Sequence, residues 1–470
     1  MSSIIVCGGG VCGLATGLLL ARDGHDVTLL ERDPGDVPAT VEEAWDDWER
    51  KGVAQFRQPH NLFPGFRVAI DRELPEINDA LRDNGAARMD FSKVIPPHLD
   101  QSPRPIDEDL WFYTGRRPYT EWIFARAAAD EPRLDVRRGA QVVALLAGPS
   151  VTDSVPHVTG VKLADGTELF ADLVVDAMGR RSSAPKLIAD IGGRPVHEEA
   201  EDDGFMYYTR FFRGSYPPFM GPIVMEAGTI SVLTLWGDNG TWSATFFAAA
   251  GDQPMKQLRR ADVWTKVLSA FPLQAHWADG EPLTDVLPMS GVIDRYRRFT
   301  DDGVPCATGF AAVADAWCCT NPSAGRGLSV GLRHAIALRD LVRTSLDDPA
   351  RFALEWDAVT VERFKPWYDA QVEADRARLS AMEAQREGRE WVPPTSERWK
   401  QRMLIFAGVG QDADLFRGAM SFVGCLKTAD ELLADEEFVR KARAAQESAA
   451  GQPPPAMPAP SRQELLDLVS

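Results

Sequence analysis

Ser3–Glu31, with the sequence SIIVCGGGVCGLATGLLLARDGHDVTLLE, is the stretch that decides the fold. Its apolar run Ser3–Cys7 ends in glycines, Val11–Arg22 has the composition of a helix, and His25–Leu30 has the composition of a second buried strand. Two parallel strands need a crossover helix between them, so this order predicts a βαβ unit.

The glycines of this unit have the spacing of a dinucleotide cradle. Gly8 would make the tight turn, Gly10 would let a pyrophosphate approach the backbone, and Gly13 would let the helix pack on the strand. Glu31 follows Gly13 after 18 positions, close to the ~20 at which a carboxylate accepts ribose hydroxyls. Glycine triplets also serve ordinary turns, but the flanking strands, helix and acid favour dinucleotide binding without deciding between FAD and NAD.

Composition excludes several partners. The formal net charge of −18 over 470 residues disfavours nucleic acid and anionic membrane surfaces. No apolar run is long enough to span a bilayer, and the early position of Gly8 leaves no space for a signal peptide, so we predict a cytoplasmic protein. The six cysteines and seven histidines lack the spacing of a metal site, so no metal is predicted and the cysteines are expected to be reduced and packed.

Periodicity predicts further elements along the chain. Strands are expected around Val136 and over Val142–Leu146, Val158–Leu163 and Leu169–Asp176. The aromatic and polar alternation from Phe205 to Phe247 predicts a mixed or antiparallel sheet, which would form a substrate-side layer. Helices are expected over the following stretches: Arg117–Ala129, Asp262–Phe271, Leu332–Glu387, and a short one in Ser461–Ser470 capped through Ser461 and Glu464.

Two later segments carry a second set of turns. Ala171–Ser183, ADLVVDAMGRRSS, runs from an apolar strand into Asp176 and Gly179. Gly309–Leu332, GFAAVADAWCCTNPSAGRGLSVGL, runs from small apolar residues into Asp315 and then through glycines into a helix. The backbone amides of this second turn could solvate the edge of a flavin.

Together the three segments resemble the signature segments of the p-hydroxybenzoate hydroxylase-like FAD-dependent monooxygenases, in the usual chain order, over roughly residues 1 to 345. The stretch Glu49–Asn61, ERKGVAQFRQPHN, is similar to the same stretch of the polyether-type flavin olefin epoxidases of that superfamily. The resemblance implies FAD contacts at these residues: Gly8, Gly10, Val11, Cys12, Gly13, Glu31, Arg32, Arg50, Lys51, Arg117, Val142, Gly179, Asp315, Pro322, Gly325, Gly327 and Leu328.

Three departures from the family pattern mark a divergent subgroup. Ala314 stands where a glycine is expected, the histidine expected shortly after Asp315 is replaced within Trp317–Cys319, and the middle motif reads DAMG where DG is usual. These differences bear on the substrate chemistry more than on FAD binding.

The resemblance also implies a fold and its division. The expected class is α/β with an α+β substrate layer: a Rossmann-like FAD-binding domain interleaved with a β-sheet substrate domain, followed by a C-terminal helical region. The predicted bounds are 1–75, 101–186 and 291–345 for the FAD-binding domain, 76–100 and 187–290 for the substrate-binding sheet, 346–450 for the helical region and 451–470 for a proline-rich tail.

The implied activity is insertion of one oxygen atom from O2 into a small organic substrate through a flavin C4a-hydroperoxide, by hydroxylation or epoxidation, in secondary metabolism. NAD(P)H would supply electrons directly or through a separate flavin reductase. No catalytic residue is identified, and His60, Tyr208 and Arg210 are the candidates.

Three alternatives stay open. The first is a reductase or dehydrogenase of the geranylgeranyl-reductase type, which shares this fold. The second is a flavin halogenase, although the WxWxIP segment of those enzymes is missing from the sequence. The third is a non-enzymatic flavin-binding redox module.

Overall fold

The computed structural model of the protein describes residues 1–202, 204–449 and 457–470. Its strands, in chain order, are β1 Ser3–Cys7, β2 Asp26–Glu31, β3 Pro59–Leu62, β4 Ala87–Asp90, β5 Trp111–Arg116, β6 Leu134–Arg138, β7 Val142–Thr152, β8 Val155–Leu163, β9 Glu168–Phe170, β10 Leu173–Asp176, β11 His197–Asp202, β12 Phe205–Arg213, β13 Val224–Ala227, β14 Ile230–Trp236, β15 Thr241–Ala249, β16 Glu281–Pro282, β17 Leu287–Met289, β18 Ile293–Arg298, β19 Thr300–Asp301, β20 Val304–Pro305, β21 Phe310–Ala312 and β22 Cys318–Cys319. Its α-helices are α1 Val11–Arg22, α2 Val41–Asp46, α3 Pro64–Glu73, α4 Pro75–Asp83, α5 Arg117–Ala129, α6 Ala184–Asp190, α7 Ala261–Leu268, α8 Gly327–Ser345, α9 Pro349–Arg363, α10 Lys365–Arg386, α11 Glu397–Phe406, α12 Ala413–Val423, α13 Ala429–Leu433, α14 Glu436–Ala449 and α15 Arg462–Val469.

A parallel sheet in the order β21-β10-β1-β2-β6 carries the first layer and confirms the predicted α/β class. The four residues from Ile4 to Cys7 are buried, as expected for a central strand that is covered on both faces. The second strand begins at Asp26 instead of the predicted His25, because the His25 amide donates to the Leu20 carbonyl (3.3 Å) and still belongs to the end of α1.

The predicted strand Leu169–Asp176 is two strands in two sheets. β9 pairs with β8, whereas β10 pairs with β1 and β21 in the parallel sheet. The chain changes sheets at Ala171 and Asp172, whose amides donate to the Thr159 and Ser3 carbonyls respectively. Periodicity alone could not show this change, because both halves have apolar residues.

The predicted substrate-side sheet is antiparallel, with the order β13-β14-β15-β12-β16 and with β17 also paired to β12. Because side chains alternate along a strand, β12 has two different faces. Phe205 faces the large cavity described below and Thr209 bonds to Gln58, while Tyr208 and Phe212 pack in a core with Trp264 of α7.

The long helical stretch predicted over Leu332–Glu387 is divided among α8, α9 and α10. Helices α9 and α10 each begin with a proline in the first turn, where the missing N–H has no partner to lose. Asp348 caps α9 by accepting a hydrogen bond from the Arg351 amide (3.0 Å). The sequence pattern continued through these breaks because all three helices have similar composition.

The C-terminal helix α15 has the predicted capping box, in which Ser461 and Glu464 exchange hydrogen bonds. Its Leu465 and Val469 are buried against α7 and the outer face of the antiparallel sheet. The predicted proline-rich tail, 451–470, falls partly on 451–456, outside the described residues. The domain bounds stay a prediction. Among the described residues, no helix has the length and apolar character required to cross a bilayer.

Candidate cofactor and substrate site

A cavity of about 960 Å³ lies between the carboxyl ends of the parallel strands, the antiparallel sheet and the C-terminal helices. Its volume is at the upper end of the range for small-molecule sites. All but one of the predicted cofactor residues line it: Gly8, Gly10, Val11, Cys12, Gly13, Glu31, Arg32, Arg50, Arg117, Val142, Gly179, Asp315, Pro322, Gly325, Gly327 and Leu328.

Lys51 is the exception. Its side chain is 84% exposed and pairs with Glu49 at 3.5 Å, away from the cavity. The prediction of a cofactor contact at Lys51 is therefore corrected. The charged head of a lysine on an exposed turn is better solvated by water than by a buried ligand site.

The glycine turn has the geometry of a pyrophosphate cradle. Gly8 has a φ of +115°, and a Cβ there would fall well inside contact distance of the Ala177 carbonyl oxygen. A Cβ on Gly13 would collide with the Gly8 carbonyl oxygen, whereas a Cβ on Gly10 would meet no protein atom within 4 Å. The first and third glycines thus allow close packing, and the second leaves space at the start of α1 for a ligand.

Glu31 and Arg50 hold this turn in place. The Oε2 of Glu31 accepts hydrogen bonds from the Gly9 amide (2.9 Å) and from Arg50 Nη2 (2.7 Å). Arg50 also pairs with Asp33 and Glu121 and donates to the Gly9 carbonyl (2.9 Å). Burial lowers the pKa of Arg50, but these three carboxylates outweigh it and leave the pKa raised. All three guanidinium nitrogens of Arg50 are thus engaged, and they link the glycine turn to the three carboxylates.

Arg117 is both an ion-pair partner and part of the cavity wall. Its Nε donates to Glu121 at 2.8 Å, the pairing expected for residues four apart on a helix. The same side chain lines the cavity, so the ion pair leaves it beside the predicted ligand. Its contact with a cofactor stays a prediction.

Asp315 is an unpaired carboxylate at the cavity wall. Among the described residues, no donor lies within hydrogen-bond distance of it, although Arg117 and Arg180 act on it through space. Burial raises its pKa, and the two arginines lower it in part. A buried carboxylate without partners is costly, and ligand hydroxyls would satisfy it.

Ala314, one of the departures from the family pattern, has an unusual backbone conformation beside Asp315. Ala314 adopts a φ of +51°, a left-handed conformation that glycine adopts at lower cost. Its amide donates to Nδ1 of His334 at 3.1 Å, and His334 stacks on Trp356 with ring centroids 4.5 Å apart. Burial and, as the smaller cause, Arg363 together lower the pKa of His334 to about 3, so the ring stays neutral and able to accept. The histidine thus supports the Ala314 backbone from α8.

The turn before α8 completes the cofactor side of the cavity. Asn321 caps it by accepting a hydrogen bond from the Ser323 amide (3.2 Å), and Gly325 has a φ of +66°. A Cβ on Gly327 would meet no protein atom within 4 Å. The positive end of the 19-residue helix α8 therefore opens onto free space, where negative charge is favoured.

His60 lies in the cavity wall as a neutral side chain. Its Nδ1 lies 3.0 Å from the Gln58 carbonyl, which requires Nδ1–H as the donor. Burial lowers the pKa of His60 to about 3, and Arg117 also lowers it. A ring with this pKa stays neutral near neutral pH, and the catalytic role of His60 stays a prediction.

Tyr208 and Arg210 lie away from the cavity, and this corrects their candidacy as catalytic residues. Both are on the face of β12 that packs against α7, where Arg210 donates to Thr265 Oγ1 (2.9 Å) and to the Thr284 carbonyl (3.2 Å). Alternation along the strand points these side chains away from the face that contains Phe205.

The turn before α8 and the C-terminal helices add charged residues to the cavity that the sequence pattern did not reveal. Arg326, Asp375 and Arg402 all line it. Asp375 accepts hydrogen bonds from Ser323 Oγ (2.9 Å) and Gln371 Nε2 (2.7 Å). Burial is the largest effect on Asp375 and raises its pKa to about 7. In the sequence, Asp375 and Arg402 look like ordinary charged positions on solvated helices.

No family model matches the chain. Protein Rv3254 of Mycobacterium tuberculosis is 24% identical over 357 residues, which cover 71% of this chain and 72% of that protein. The structure of Pseudomonas aeruginosa PqsL in complex with 2-aminobenzoylacetate is similar with a TM-score of 0.62 at 15% identity, over 82% of this chain and 98% of that one. PqsL is described as a probable FAD-dependent monooxygenase.

A variant of Klebsiella pneumoniae HpxO complexed with FAD is similar with a TM-score of 0.54 at 14% identity, over 96% of this chain and 98% of that one. These likenesses establish the fold: the chain has the architecture of PqsL and HpxO, which agrees with the fold that the sequence resemblance implied.

Proposed function

We propose that this protein is an FAD-dependent monooxygenase acting on a small organic substrate. One observation carries the proposal: the glycine turn at Gly10, the unpaired carboxylate of Asp315 and the amino terminus of α8 all open into one cavity. A single extended dinucleotide is a ligand with chemical groups suited to all three.

The residues present fit FAD. The open face of Gly10 and the start of α1 would bind the pyrophosphate, and Asp315 would accept hydrogen bonds from ribityl or ribose hydroxyls. The amino terminus of α8, beyond Gly325, would lie beside the isoalloxazine and favour negative charge on it. When bound and reduced, FAD supplies the activation of dioxygen that side chains cannot supply.

The protein's own contribution is a largely apolar chamber next to this cofactor side. Phe91, Phe219, Leu235 and Met420 line it, and apolar walls exclude water and orient a substrate. An NAD(P)H donor, acting directly or through a flavin reductase, belongs to the same proposal. So does a cytoplasmic location, which the free thiols of all six cysteines support.

The experiment has two steps. Purified protein should show the yellow absorption of oxidised flavin, which NADH, NADPH or an added flavin reductase should bleach. Reaction under isotopically labelled dioxygen should then place one labelled oxygen atom in an organic product, measured by mass spectrometry. A colourless, folded protein with no affinity for added FAD would remove the cofactor assignment.

The second step also separates the alternatives. Substrate reduced or desaturated without labelled oxygen would indicate the reductase type, and a halide-dependent product would indicate a halogenase. Flavin that turns over no substrate in a broad screen would favour the redox module.

A further inference from the structure

Two arginines in the cavity have no anionic partner among the described residues. Arg326 is 8% exposed, its Nε has no hydrogen-bond partner, and its Nη2 reaches only the Phe422 carbonyl at 3.4 Å. Arg402 has its guanidinium 5.0 Å from the Phe406 ring centre and makes no ion pair in the described part of the chain. A buried cation without an anionic partner, such as Arg326, is costly to a fold, and the half-buried Arg402 adds a second positive charge to the same cavity.

The two cations lie near each other, because the Phe422 ring that contacts Arg326 and the Phe406 ring that contacts Arg402 have centres 6.3 Å apart. Arg326 acts through space on Arg402 and, after burial as the larger cause, lowers the pKa of Arg402 to about 10. Aromatic rings surround Arg326, with the Phe422 ring centre at 4.4 Å and the Trp367 ring centre at 5.3 Å. Rings of this kind hold a guanidinium in place while leaving its N–H groups to donate elsewhere.

The nearby acids offset this pair only in part: Asp375 acts through space on both arginines, and Glu226 acts on Arg402. Glu226 lies 3.7 Å from Arg378, which it partners at the edge of the cavity. Asp375 is hydrogen-bonded to Ser323 and Gln371, and its pKa near 7 leaves it only partly ionised at neutral pH. The cavity therefore holds more positive than negative charge on the side formed by the C-terminal helices.

We propose that Arg326 and Arg402 form an anion subsite that binds an acidic group, such as a carboxylate, on the substrate. The inference rests on the proposed function, because it places the substrate in the chamber beside FAD. The neighbouring wall of Phe63, Met89 and Phe91 would take the apolar body of the same molecule. The substrate class is thus an organic acid with an apolar or aromatic body.

Binding can be tested without knowing the natural substrate. Naphthalene-2-carboxylate and its neutral amide have the same shape, and calorimetry can compare them on the FAD-loaded protein. A charge-assisted bond to a buried guanidinium predicts that the acid binds about tenfold tighter than the amide. Arg402→Gln should remove this difference, with Arg402→Met as a second variant if the first folds poorly.

Arg398→Gln is the matched control, because Arg398 is on the same helix α11 but is half exposed and pairs with Asp369 at 3.0 Å. This variant should keep the preference for the acid. A second readout separates a binding role from a structural one: removing an unpaired cation should leave the melting temperature of Arg402→Gln unchanged or higher when no acid is present. A lower melting temperature together with unchanged acid affinity would assign Arg402 to the packing and overturn the inference.

Two further results would also overturn it. One is equal binding, or no millimolar binding, of the acid and the amide to the wild-type protein. The other is loss of FAD from Arg402→Gln, which would assign the anion subsite to the cofactor instead of the substrate. Failure of oxygen transfer alone would contradict the proposed function and leave this binding result intact.

Discussion

Among single residues, the three glycines of the cradle have different tasks that substitution can separate. Gly10→Val should fold normally, because a Cβ at this position meets no protein atom within 4 Å and the backbone is extended, but it should lose FAD because it fills the ligand space. Gly13→Ala should instead lower the melting temperature, because its Cβ meets the Gly8 carbonyl. Measuring flavin retention and thermal unfolding on both variants tests these two predictions. Retention of flavin by folded Gly10→Val would contradict the cradle.

Asp375 gives a prediction for the pH dependence of stability. Its folded-state pKa of about 7 is above its ordinary value of 3.8, so the folded protein holds a proton that the unfolded chain releases. The stabilisation is complete below the ordinary pKa and is lost as pH rises towards the folded value. Asp375→Asn removes this titration, so its free energy of unfolding relative to wild type should increase between about pH 4 and pH 7 and then level off.

Urea unfolding at several pH values measures this difference. Asparagine can keep both hydrogen bonds, with its oxygen accepting from Gln371 and its amide donating to Ser323. Other titrating groups are common to both proteins and cancel in the comparison. A difference that does not change with pH would show that Asp375 ionises as easily in the folded chain as in the unfolded one.

Between elements, a buried ion pair joins β5 to the loop between β14 and β15. Arg116 and Asp238 are each fully buried, with Nη2 and Oδ2 2.5 Å apart, and Asp238 also accepts from the Arg116 amide. Asp238→Ala should therefore cost about 3 to 5 kcal/mol, because it leaves the arginine charge buried without its main partner. The exposed pair Arg82 and Asp79 is the control, and Asp79→Ala should change stability by under about 0.5 kcal/mol.

Chemical unfolding of both variants gives the comparison. If Asp238→Ala and Asp79→Ala lose equally little free energy of unfolding, then water or Glu42, which lies 3.0 Å from Arg116, replaces Asp238 without cost.

The sequence predicted elements that are adjacent in the chain, but it did not predict which distant elements come together in the fold. The βαβ unit was correct to one residue at Asp26, because its strands and helix are adjacent in the chain and the glycines mark the turn. By contrast, Arg402 and Asp375 line the cavity only because α10 and α11 fold back over it. A charged residue facing a cavity has the same helical spacing as one facing water, so the sequence carries no local signal for it. The prediction of Tyr208 and Arg210 as catalytic candidates was wrong for a related reason. Alternation shows that β12 has two faces, but it does not show which face lies towards the ligand.

For the whole molecule, the C-terminal helix α15 closes the outer face of the antiparallel sheet. Leu465 is 1% exposed in the core shared with α7, and Arg462 pairs with Asp252 at 2.6 Å. Leu465→Ala should lower the free energy of unfolding by about 2 to 5 kcal/mol while leaving flavin retention unchanged, because this face is opposite the cavity. Gln463→Ala, at an exposed position of the same helix, is the control. Flavin loss in folded Leu465→Ala would show that the two faces of the sheet are coupled.

The sequence Gly325-Arg326-Gly327 places the proposed cofactor edge and the proposed substrate anchor on adjacent residues of one turn. Two ligands that share a turn are thermodynamically linked, and such linkage is reciprocal. The factor by which a bound acid alters the dissociation constant of FAD must equal the factor by which bound FAD alters the dissociation constant of that acid. One pair of equilibrium titrations would thus reveal how closely this turn couples its two occupants.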